Sequence, residues 1–202
     1  MEHPARKHGY ITTYSGQNVG NPISSFYSDQ VEITDIARSL SMQCRFLGHL
    51  TKFYSVAEHS VMVSRMAQAL GDDEAVIPAL LHDAHEAYMG DMASPQKAMI
   101  GRGFKEFESA FEYTTRCAFL NMSFDDQSVW ERVKQYDIAL LHAELGAFRP
   151  RPLPDWYDPQ VYASVPREAL PVGLPWEEAE QLFLTECSDL KVTLRKSLTQ
   201  GC

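Results

Sequence analysis

Two imidazoles and two carboxylates of this chain sit where apolar residues belong. His82 and Asp83 follow the run Ala79-Leu80-Leu81, and His59 lies among Val56, Ser60, Val63, Met66, Ala67 and Leu70. Asp137 lies among Val129, Trp130, Val133, Tyr136, Leu140, Leu141 and Glu144. These are the i, i+3, i+4, i+7 spacings of a core-facing helical stripe. Burying an unpaired carboxylate costs several kcal/mol, so each must meet a partner or a metal. No matching set of apolar-stripe cations is visible, and the constellation therefore predicts one divalent ion held by His59, His82, Asp83 and Asp137. The alternative without an ion is a pair of His–Asp hydrogen bonds. Imidazole and carboxylate donors suit zinc, manganese, cobalt, nickel or iron and do not choose between them. Such an ion offsets charge on a phosphoryl group and makes hydroxide available near neutral pH. Glu86, one helical turn after His82, and Asp91, just beyond the helix end, are left to orient water or move a proton.

Positioning these groups requires helices. The apolar pattern predicts one from Val31, with Ile33, Ile36, Ala37, Leu40 and Cys44 on one face, ending before Gly48. A second is expected from Val56 to Leu70 and a third, carrying His82-Asp83, from Asp73 to Met89, closed by Gly90 as a left-handed cap. Residues Asp91 to Gly103 read as a polar loop, followed by a helix from Phe104 to Leu120. Ser123 with Asp126 offers an N-cap for a long helix ending near Phe148. Seven of the eleven prolines fall between Pro150 and Pro175, which reads as a linker or wrapping loop. Because it also holds Trp156, Tyr157 and Tyr162, part of it should lie against the body or a neighbouring subunit, so a homo-oligomer is expected. A last helix is predicted over 176–198, with Pro175 at its start and Ala179, Leu182, Phe183, Leu190 and Leu194 inward.

The fold class that follows is all-α: one domain over 1–202, an N-terminal arm, a helical core over about 31–148, the proline-rich segment and a C-terminal helix. An apolar content of 45% and a charged content of 22% over 202 residues fit a globular domain with a real core. No stretch approaches the roughly 20 apolar residues that cross a bilayer. The N-terminus, with His3, Arg6, Lys7 and His8, has no hydrophobic signal region, so a cytoplasmic protein without membrane contact is expected. Cys44, Cys117, Cys187 and Cys202 are widely spaced and read as reduced thiols. A net charge of −9 argues against binding long nucleic acids, though not against a small phosphorylated substrate.

The runs Ser-Val-Ala-Glu-His-Ser at 55–60 and Leu-Leu-His-Asp-Ala-His-Glu-Ala-Tyr-Met-Gly-Asp at 80–91, with Tyr-Asp at 136–137, strongly resemble the HD-domain phosphohydrolases. Within them the chain looks like the 5′-deoxynucleotidase branch and its phage relatives, over roughly residues 10–148. The resemblance implies the same four metal ligands, with Glu86 and Asp91 catalytic. Arg45-Phe46 matches an Arg-aromatic pair that contacts the nucleotide in that branch, the usual aromatic there being Trp. The segment Ala-Ser-Pro-Gln-Lys at 93–97 resembles a loop whose lysine, here Lys97, faces the phosphate. Lys52 and His49 complete the candidate substrate contacts. The phage relatives include dATP triphosphohydrolases, which remove dATP from the nucleotide pool. Tyr-Ile-Thr-Thr-Tyr-Ser-Gly at 10–16 and Cys-Arg-Phe-Leu-Gly-His at 44–49 look phage-like, which would place the protein in a host cytoplasm. The expected activity is hydrolysis of a deoxynucleotide phosphate, from a monophosphate or, with release of triphosphate, from a dNTP such as dATP. A non-catalytic nucleotide-binding regulatory module and an RNA or cyclic-nucleotide phosphodiesterase are the alternatives. Dinuclear relatives need further histidines between the His-Asp dyad and the final Asp. His85 is the only one here, so a single protein-bound ion is expected, with any additional divalent ions arriving with a triphosphate.

Overall fold

The computed structural model describes residues 9–119 and 126–195. The architecture is all-α, with one two-residue antiparallel pair, β1 (Ile11–Thr12) and β2 (Asn18–Val19), in the N-terminal arm. The arm is fastened to the body by Ser15, whose backbone N–H and hydroxyl both donate to the buried Asp35 carboxylate at 2.6 and 2.7 Å. Asp35 belongs to α1 (Ile33–Met42), which buries Ile36, Ala37 and Leu40 as expected. The helix ends at Met42, earlier than the sequence suggested. A short 3-10 turn, Arg45–Gly48, follows.

The centre of the fold is α2 (Val56–Ala69), capped by the Ser55 hydroxyl on the Glu58 N–H. It is covered on nearly every side, so its polar residues must find partners inside the protein. The Ser60 hydroxyl donates to the Val56 carbonyl and the Ser64 hydroxyl to Val76. The fully buried Glu58 carboxylate accepts the backbone N–H groups of Val172, Gly173 and Leu174 at 2.7–2.9 Å. Leu70, read as part of the inward stripe, is exposed just past the helix end.

The helix expected from Asp73 to Met89 is two helices, α3 (Asp73–Leu81) and α4 (Glu86–Met89). Between them the backbone tightens to i→i−3 hydrogen bonds, Ala84 to Leu81 and Glu86 to Asp83 among them. In that winding, side chains three apart eclipse, which brings Glu86 into line with Asp83. Gly90 closes α4 at φ 90, ψ 149, an extended conformation open essentially to glycine rather than the left-handed helical cap expected. The polar loop expected over 91–103 contains a further helix, α5 (Ser94–Ile100), with Pro95 in its first turn, where a missing N–H is harmless.

Next come α6 (Arg102–Cys117) and α7 (Gln127–Phe148), the latter capped by Asp126, whose carboxylate accepts the Ser128 N–H. Ser123 and Leu120 lie outside the described residues. The proline-rich segment is more ordered than a loop. It holds α8 (Pro159–Ser164) and a 3-10 turn at Arg167–Ala169, and it lies on α7, where Asp158 N–H donates to His142 Nδ1 at 3.0 Å. The last helix, α9 (Trp176–Asp189), buries Ala179, Phe183 and Cys187. It stops well before 198. Lys191 takes φ 54 and Leu194 bridges back to Phe119, while residues 196–202 lie outside the described ones. No described helix is long and apolar enough to cross a membrane.

Candidate metal centre

Three elements aim their donors at one point. His59 comes from α2, His82 and Asp83 from the tightened turn between α3 and α4, and Asp137 from α7. The donor atoms of His59, His82 and Asp137 lie within 4.8 Å of one another. His59 Nε2 is 3.1 Å from Asp137 Oδ1, and Asp83 Oδ2 is 3.1 Å from His82 Nε2 and 3.8 Å from His59 Nε2. Asp83 thus meets both imidazoles from beside the tighter trio. The carboxylates are less buried than the stripe pattern implied, with 18% of the Asp83 and 38% of the Asp137 side chain exposed. They face a cavity rather than the core.

The imidazoles are fixed from behind. His82 Nδ1 donates to the Ala79 carbonyl at 2.7 Å, and His59 Nδ1 donates to Glu144 Oε1 at 2.5 Å. Both hydrogen bonds assign the proton to Nδ1 and turn Nε2 toward the centre. Each Nε2 is buried and makes no well-directed hydrogen bond, its neighbours being the Asp137 and Asp83 carboxylate oxygens at 3.1 Å. Burial lowers the affinity of His82 for a proton, but the Asp83 carboxylate more than reverses this and brings its pKa up to about 9. Burial likewise opposes protonation of His59, while Glu144 and Asp137 draw it upward. Asp83 and Asp137, despite burial, are held below the usual carboxylate range by the facing imidazoles.

Glu144 carries a role that the sequence reading did not assign. It is fully buried, and its second oxygen accepts Arg45 Nε at 3.1 Å and Nη2 at 3.0 Å. Arg45 is therefore the buried cation that the stripe pattern failed to reveal. Burial works against its charge, yet Glu144, Asp137 and Asp83 keep it firmly protonated. The signal available beforehand was a carboxylate two turns after Asp137 on the same apolar face.

Glu86 and Asp91 line the same cavity, of about 1140 Å³, with Arg45, Phe46, His49 and Lys97. Burial, and then the neighbouring Asp83 and Asp91, push Glu86 well above the normal carboxyl range. Burial and Asp83 also raise Asp91. Gln43 holds both ends of α4, its amide N–H₂ donating to the Glu86 carbonyl and its oxygen accepting the Asp91 N–H. Phe46 and Leu47 both take φ 54, a left-handed conformation costing about 1–2 kcal/mol per residue, spent on the cavity wall. Lys97 is engaged by carboxylates: its Nζ lies 2.6 Å from Glu108 Oε1 and 3.2 Å from Glu86 Oε1. Lys52 is exposed and does not line the cavity. Arg149, Arg151 and Trp156, from the proline-rich segment, do.

Five carboxylates (Asp83, Glu86, Asp91, Asp137 and Glu144) thus share the site with Arg45 and Lys97, and Arg149 and Arg151 stand on the same cavity wall. Two preoriented Nε2 atoms facing the Asp83 and Asp137 carboxylates fit a divalent transition ion.

The fold and these donors define an all-α protein whose clustered His and Asp groups can hold a metal. No family model matches the chain. Over 112 residues, 53% of this chain and 56% of the relative, it is 38% identical to the uncharacterized protein YfdR of Escherichia coli strain K12. Over 84 residues, 39% of this chain and 42% of the relative, it is 43% identical to the uncharacterized protein RCAP_rcc00048 of Rhodobacter capsulatus. The chain matches about half the length of these curated relatives.

Proposed function

We propose that the protein is a divalent-metal-dependent phosphohydrolase of the HD-domain type, acting on a deoxynucleotide. The observation that carries this reading is the convergence of the His59 and His82 Nε2 atoms with Asp137 and Asp83 beside a cavity that also presents acids and cations. His59, His82, Asp83 and Asp137 would hold the ion, which would supply Lewis acidity toward a phosphoryl oxygen and hydroxide near neutral pH. Glu86 and Asp91 orient the attacking water and carry the proton that the departing oxygen needs. Arg45, held by Glu144, presents its remaining edge to the phosphate, and Lys97, Arg149 and Arg151 add positive charge around the cavity. Phe46, beside the Arg45 guanidinium, offers a ring for contact with the sugar. In the overall reaction water oxygen bonds to phosphorus, the ester bond to the 5′ oxygen breaks, and that oxygen takes a proton. A monophosphate then yields nucleoside and phosphate. A triphosphate such as dATP yields nucleoside and tripolyphosphate.

The deciding experiment is a panel of ribo- and deoxynucleoside mono- and triphosphates, incubated with the metal-loaded protein, with each released species identified. Orthophosphate or tripolyphosphate release, faster for deoxy substrates, is expected. Nucleotide binding without phosphate release under every metal would instead mark a regulatory module.

A further inference from the structure

We infer that His85, Glu86 and Glu108 form a second divalent-cation site, for which the Lys97 ammonium is the resting counter-ion. The donor atoms of these three residues lie within 4.8 Å of one another. His85 and Glu86 are 6% and 3% exposed, and His85 Nε2 and Glu86 Oε2 are buried atoms with no hydrogen-bond partner. His85 Nε2 stands 3.9 Å from Glu108 Oε1. That is too long for a hydrogen bond, but one ion with bonds of about 2.1 Å to each atom spans it. The Lys97 ammonium touches one oxygen of each glutamate. His85 Nε2 and Glu86 Oε2 are left over for a metal, and the Glu108 oxygen that faces His85 is the one the ammonium now holds.

Histidine counting had pointed to a single protein-bound ion. The fold supplies the missing donors differently: the tight turn over 82–85 directs His85 and Glu86 together, and α6 brings Glu108 to them. A smaller cavity of about 300 Å³ adjoins the group, lined by His85 and Glu108 and sharing Asp83, Lys97 and Asp137 with the larger one. One imidazole and two carboxylates suit Mn²⁺, Zn²⁺ or Co²⁺. A divalent ion brings two charges where Lys97 brings one. Loading the site therefore displaces Lys97, which already borders the main cavity.

The test is a Mn²⁺ titration of the metal-stripped full chain, with free Mn²⁺ followed by electron paramagnetic resonance and folding checked by circular dichroism. The wild type takes up two equivalents, H85A and E108Q lose the weaker one and keep the tighter, and H59A does the reverse. K97M, which removes the competing ammonium, tightens the weaker equivalent by about tenfold, the size seen for changes close to a metal's ligands. Anomalous scattering from Mn²⁺-soaked wild-type crystals places the second peak between His85 and Glu108. A single equivalent in wild type and K97M that survives H85A and E108Q, or a second one undiminished in those variants, overturns the site. A single equivalent that H85A and E108Q abolish and H59A does not would count against the main centre and leave this inference standing.

Discussion

Glu144 grips a histidine with one oxygen and an arginine with the other, so one buried carboxylate orients both a metal donor and a candidate phosphate contact. A Glu144→Gln substitution keeps the shape but weakens the hold on the His59 N–H. Metal affinity should fall about 10–100-fold, measured by competition with a chromophoric chelator. An unchanged affinity would reduce Glu144 to a partner of Arg45. Glu86→Gln should keep the ion of the main centre yet lose roughly 10²–10⁴ in turnover, read from phosphate release beside metal content. The four candidate donors that the structure brings together could be picked out in the sequence because polar residues on apolar stripes are costly and therefore conspicuous. Gln43 and Glu108 could not, and Arg45 was legible as a substrate contact but not as the partner of Glu144, since neighbours in sequence do not disclose what lies across a helix interface.

Helix α3 is tied to α7 at its start as well as at the centre. Arg132 donates to both oxygens of Asp72 at 2.7 and 3.1 Å, and Tyr136 adds a third bond at 2.7 Å. The Arg132 hydrogen bonds, then that of Tyr136, outweigh a modest burial effect and lower the Asp72 pKa. The stabilisation from this shift is fully present above the unfolded value of about 3.9 and is lost as pH falls through the lower folded value. Asp72→Asn should cost about 1 kcal/mol at neutral pH, the pair being partly exposed. In urea melts against pH the difference from wild type should shrink in strong acid. Deeper inside, Glu58 fastens residues 172–174, and its replacement by Ala strands three backbone donors. A loss of about 3–5 kcal/mol is expected by chemical denaturation. Periodicity located α1, α2, α6 and α7 because each carries a one-sided or sustained apolar pattern. It read through the break at residues 82–85, where no proline or glycine marks the change from i→i−4 to i→i−3 bonding. It also passed over α5 and α8, which are too short to show a period, and overran α9, whose end at Leu190 has no glycine or proline.

Across the molecule, the candidate metal donors join α2, the α3–α4 turn and α7, so an ion bound there would act as a crosslink absent from the unfolded chain. At about 1,000 times its dissociation constant, such an ion adds about 4 kcal/mol of stability. For a chain of this size, chelation should lower the melting temperature by about 8–16 °C in differential scanning calorimetry. Most of the shift should be lost when His59 is replaced, leaving only the part owed to the weaker site. The buried grip of Glu144 on His59 and Arg45 has a further consequence in time. These contacts span 85 and 99 residues of chain, and the Glu58 anchor spans 114 or more. At about 5–20 residues per second on the ribosome, α2 emerges roughly 4–17 s before the carboxylate that will orient its histidine. During that interval the most deeply buried helix of the finished protein is without its distant partners. Its early partner is α3, the helix that leads straight to His82 and Asp83, so three of the four candidate metal donors can gather before Asp137 has been synthesised.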